Sequence, residues 1–78
     1  MSRYGVVLEL DPDERVYVVT VPALPGCFMQ GRTVVEALAR AREAIAGHVA
    51  ALRARGEEVP IETAPPILPT VDVDEAAD

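Results

Sequence analysis

Four carboxylates crowd one short stretch of the chain: Glu9, Asp11, Asp13 and Glu14. Oxygen ligands of this kind suit magnesium or manganese, and two such ions would serve phosphodiester cleavage. A metal-dependent nuclease holds its acids rigidly on separate elements of a sheet, facing one pocket. Three of these four fall in or beside the turn Asp11-Pro12-Asp13-Glu14, where carboxylates are solvated, so no metal site is expected. His48 is the only histidine and lies on the flank of a helical apolar stripe, a position that suits packing better than proton transfer. Cys27 enters an apolar strand with no histidine or arginine beside it in sequence, which describes a small core residue rather than an activated thiolate. A single cysteine builds neither an internal disulfide framework nor a thiolate metal centre. The chain has no glycine-rich phosphate loop and no basic–aromatic stripe for RNA. The expected chemistry is therefore binding, with no catalytic residue, metal or cofactor.

The elements that would position these groups follow from periodicity. Arg3 to Leu10 reads as a strand, with Tyr4, Val6, Leu8 and Leu10 on one face and Val7 and Glu9 on the other. Pro12 and the flanking aspartates make a turn, and Arg15 to Val21 resumes as a β-branched strand, giving an antiparallel hairpin. Both faces are largely apolar, so one should meet a helix and part of the other a second chain. Pro22-Ala23-Leu24-Pro25-Gly26 breaks the strand, and Cys27 to Gln30 forms a short third one closed by Gly31.

Thr33 and Glu36 form a capping-box pair that opens a helix. Val34, Leu38, Ala41, Ile45, Val49 and Leu52 recur at steps of three and four as its apolar stripe, and Gly56 stops it. Gly47 lies off the stripe near Ala50, Ala51 and Ala54, a smooth patch that admits close approach or is simply tolerated. After a polar, proline-containing link from Glu57 to Pro66, the run Ile67 to Val73 is expected to return as a last strand, edge-bound because of Pro69. The expected organisation is a single domain over 1–73 and a frayed acidic tail over 74–78.

Seventy-eight residues leave a marginal core, and one made of Val, Ala and Leu buries little area per residue, so a homodimer interface would help stability. Seven arginines and no lysine against thirteen acids give a net charge of −6. Such a chain repels nucleic-acid phosphates and attracts basic proteins. No apolar run approaches the roughly 20 residues that span a bilayer, and the N-terminus lacks the plan of a secretion signal, so a cytoplasmic location is expected.

The ordered string Leu24-Pro25-Gly26-Cys27, Gly31, Thr33, Glu36 and Ala37, continued by Ala41, Glu43, Ala44 and Ile45, closely resembles the signature of the HicB antitoxin-like family. The preceding hairpin and Gly56-Glu57-Glu58-Val59-Pro60 are also similar, so the resemblance covers roughly residues 3–60. It implies an α+β fold with a β-β-β-α-β layout, a small antiparallel sheet packed on one amphipathic helix, like a reduced ribonuclease H. It also implies a non-enzymatic antitoxin that masks a small HicA-type RNA-cleaving toxin. Many relatives carry an acid before Leu-Pro-Gly, where this chain has Ala23. Longer relatives append a DNA-binding segment, for which the stretch after Pro60 is too short and proline-rich, so direct DNA binding is not expected.

The motif residues read physically as scaffold: turn, buried strand start, close approach and cap. The candidate partner or dimer surface is the outward side of the hairpin around Val7, Tyr17 and Val19, together with the patch at Gly47 and Ala51. An orphan dimeric regulatory or ligand-binding domain of the same fold is the alternative to the antitoxin reading, and a nuclease using the hairpin acids a third.

Overall fold

The computed structural model describes residues 2–75, from the N-terminal segment through an extended tail. Asp11 starts the first chain reversal: its Oδ1 accepts from the backbone N–H of Asp13 at 3.0 Å and of Glu14 at 3.2 Å. Arg15 completes the turn in the left-handed region, at φ 56°, and its N–H donates to the Asp11 carbonyl at 2.8 Å. The turn joins β1 (Val7–Asp11) to β2 (Val16–Thr20) as an antiparallel pair with Leu8 opposite Val19 and Leu10 opposite Tyr17.

Two successive turns then carry the chain from β2 to β3 (Phe28–Gly31). The Leu24 N–H donates to the Val21 carbonyl at 2.9 Å around Pro22, and the Cys27 N–H donates to the Leu24 carbonyl at 3.0 Å around Pro25-Gly26. Gly26 at φ +85° supplies the positive angle that a type II turn requires after proline. Strand order is β1-β2-β3, antiparallel throughout, with Val19 opposite Met29 and Tyr17 opposite Gly31.

Helix α1 (Val34–Ala54) is fixed at both ends. The Thr33 hydroxyl accepts from the Glu36 N–H at 3.0 Å, while the Glu36 carboxylate accepts from the Arg32 N–H at 3.0 Å, one residue earlier than a standard capping box. At the other end Gly56, at φ +71°, donates to the Arg53 carbonyl and Glu57 to the Leu52 carbonyl, the Schellman pattern. α1 lies across β2 and β3. It does so closely, because a Cβ on Gly31 would stand 2.5 Å from the Ala37 nitrogen. Only glycine allows this contact.

The core consists of two adjoining clusters, Val19 with Ala37 and Ala41, and Val21 with Leu24 and Cys27. Its helical contribution is therefore centred on Ala37 and Ala41, while Val34 and Leu38 stand 41% and 44% exposed. The close approach at Gly31 turns the small residues inward and leaves the larger ones at the rim.

The expected return strand over 67–73 does not form. After α1 the chain passes back to the N-terminal segment, where the Tyr4 hydroxyl donates to the Pro60 carbonyl at 2.8 Å and the Gly5 N–H donates to the Glu62 carboxylate at 2.8 Å. Pro66 then packs at Gly5, and beyond it residues 67–75 run exposed with no ladder of their own. The stiff Pro65-Pro66 pair, with Pro66 packed at Gly5, carries the segment away instead of back along β1 of its own sheet. The observed layout is thus α+β with element order β-β-β-α. Of the tail expected to fray, residues 76–78 lie outside the described residues.

Candidate functional site

Sheet register decides which side chains are free to meet another molecule. Alternation places Leu8, Tyr17, Val19 and Met29 on the side of α1. The opposite parity forms cross-strand rows on the other side: Val7, Thr20 and Phe28 in one, Glu9, Val18 and Gln30 in the next, then Asp11 with Val16. No helix lies over this face among the described elements, since α1 is the sole helix and covers the reverse. Phe28 stands 66% exposed there. Val7, Val16, Val18 and Thr20 are half-buried by their own neighbours. The result is an apolar strip edged by Glu9 and, at the hairpin end, by Asp11, Asp13 and Glu14.

Two of the expected surface positions are corrected by this register. Val19 is 0% exposed, wedged against Ala37 and Ala41, and Tyr17 packs on the same cluster. Val7 does lie on the outward side, and Gly47 and Ala51 are exposed on α1, with nothing within 4 Å of a Cβ built on Gly47. Sequence reading missed Val16, Val18, Thr20 and Phe28, because both hairpin faces are apolar and a one-residue shift exchanges them. A usable signal was Gly31, the glycine where the helix closes on the sheet. Strand residues paired with it, Tyr17 and then Leu10, must share the helix side.

The motif residues hold this face in place from behind. Leu24 and Cys27 are buried, Pro25 and Gly26 form the exposed turn between them, and Gly31 and Ala37 make the close contact that Thr33 and Glu36 cap. Glu36 also pairs with Arg40 at 3.5 Å, an exposed contact between residues one helical turn apart.

The groups with chemical potential do not converge. Asp11 uses its carboxylate on the turn backbone, and among the described residues no three His, Cys, Asp or Glu side chains gather closely enough to hold a metal ion. His48 is half-buried on α1 and Cys27 lies in the core beside Val21 and Leu24. Burial pushes the Cys27 thiol above its ordinary pKa, which keeps it protonated and unreactive at neutral pH. No described helix is long and apolar enough to cross a membrane. What this side of the molecule can offer is a pleated apolar surface with an acidic rim.

Comparison with known proteins gives this geometry a setting. A family model described as the HicB-like antitoxin of bacterial toxin–antitoxin systems matches residues 4–76. A UPF0150 protein of Thermoplasma acidophilum is 45% identical over 62 residues, covering 80% of this chain and 88% of its own. An uncharacterised 14.9 kDa protein of Haemophilus phage HP1 is 48% identical over 44 residues, which cover 56% of this chain and 33% of the phage protein. Among solved structures, the crystal structure of the N-terminal domain of the Burkholderia pseudomallei antitoxin HicB superposes with a TM-score of 0.68 at 39% identity, covering 78% of this chain and 71% of that one.

Proposed function

Since the chain belongs to the HicB-like antitoxin family of bacterial toxin–antitoxin systems, we propose that it neutralises a small HicA-type RNA-cleaving toxin by covering the toxin's active site. The observation that supports the finer reading is the open sheet face: Phe28, Val7, Val16 and Val18 form an apolar strip beside Glu9 and the hairpin acids. An enzyme that grips RNA presents basic residues. A net charge of −6 speeds encounter with such a surface, and the apolar strip then holds the complex once water is expelled.

In this reading the chain performs no reaction. Inhibition is stoichiometric, needs no cofactor, and takes place in the cytoplasm, where bacterial messages are cut. The unit that binds is one domain over 1–73, self-associated because its core of small aliphatics is slight, and it regulates by protein contact rather than by touching DNA.

Co-expression with the adjacent gene tests this directly. The expected result is co-purification with a small basic protein and rescue of growth from that protein's toxicity. A neighbour that is neither toxic nor bound contradicts the antitoxin role and leaves an orphan dimeric regulator as the reading.

A further inference from the structure

The arm after Pro66 and the open sheet edge at β1 are complementary. Ile67, Leu68, Val71 and Val73 are 83%, 69%, 80% and 75% exposed, although their residue types favour a half-buried strand. In an extended chain Ile67, Pro69, Val71 and Val73 share one face, and Leu68, Thr70, Asp72 and Asp74 the other. The arm is thus an amphipathic strand without a sheet.

β1 is a sheet edge, and α1 lies over β2 and β3, meeting β1 only through Leu8, which packs on the cluster of Ala37 and Ala41. Between α1 and the segment that leads into β1 lies a groove lined by Val6, Leu38, Ala41 and Ile45, with Arg3 and Arg42 beside them. The far edge of the sheet is already engaged, because Arg40 Nη1 donates to the Gln30 carbonyl of β3 at 3.1 Å. Open edges with apolar flanks accept strands from other chains.

We propose that residues 67–73 of one copy form a fourth strand on β1 of a second copy, and reciprocally. The occupant is a second copy for two reasons. Pro66 is pinned at Gly5 and the Pro65-Pro66 pair is stiff, so the arm leaves its own body; the molecule measures 57 × 28 × 19 Å, far longer than it is wide. Exchange of identical arms closes with two-fold symmetry, satisfying both edges at once. As the new outermost strand the arm tolerates Pro69, whose missing amide then faces solvent. The proposal rests on the self-association in the functional reading and specifies how it is built.

Sedimentation velocity on the full chain and on a chain ending at Pro66, with circular dichroism to verify the fold, separates the two ideas. A dimeric full chain and a folded, monomeric short chain are expected, with V71D weakening association about tenfold or more. A short chain that stays dimeric overturns the arm exchange while sparing self-association. A monomeric full chain overturns both. As an independent check, isotope-labelled L38C chain is mixed with unlabelled V71C chain and oxidised. A labelled–unlabelled disulfide between positions 38 and 71 is expected, and its absence contradicts the exchange.

Discussion

At the scale of single residues, the fold depends on positions with no room to change. A Cβ on Gly31 meets the Ala37 backbone at 2.5 and 2.6 Å, and backbone cannot swing aside as a side chain can. Gly31→Ala should therefore cost about 3 kcal/mol, the upper end of the usual overpacking penalty, read as a lowered midpoint in urea. Cys27 gives a pH dependence with a definite sign. Its folded pKa lies above the ordinary 9.0 because burial disfavours the thiolate, so above that value the unfolded chain releases the proton more readily than the folded one. Stability should be insensitive to this group below about pH 8 and fall as the pH rises through 9 and beyond, a loss that Cys27→Ala removes. Alkylation at pH 7.5 should be slow in the native protein and rapid in denaturant.

At the scale of elements, α1 is where local sequence and tertiary packing agree most. Thr33, Glu36 and Gly56 announce both helix ends without reference to anything else, and the structure uses all three. The Leu24-Pro25-Gly26-Cys27 turn was legible for the same reason, since proline and glycine restrict the backbone locally. What was not legible is the phase of the hairpin, because Val16, Val18 and Val19 look alike and only the long-range contact at Gly31 selects the inner face. The final strand failed differently: its pattern is strand-like, but the stiff Pro65-Pro66 pair held at Gly5 carries it away from its own sheet. Two substitutions test the helix. Thr33→Ala should destabilise by about 1 kcal/mol through loss of the cap. Gly47→Ala, in open space, should stabilise by a similar ~1 kcal/mol and raise the melting temperature by several degrees. If that same change also weakens toxin or dimer binding, the smooth patch at Gly47 and Ala51 is a contact.

At the scale of the whole molecule, the sheet divides the labour. One side, closed by α1, makes the chain fold; the other, with Phe28 66% exposed, is the face proposed here to meet a partner. For the proposed basic toxin, a net charge of −6 predicts fast association at low ionic strength, at a rate that should fall by about an order of magnitude between 20 and 300 mM salt while dissociation changes little. The most direct measurement is RNA cleavage by the proposed toxin, purified from the adjacent gene and titrated with this chain and with its Phe28→Asp variant. Wild-type chain should abolish cleavage at a fixed molar ratio to toxin, and the variant, folded by circular dichroism, should need a large excess. Cleavage that continues in excess wild-type chain, or full inhibition by Phe28→Asp, would contradict occlusion through the open face.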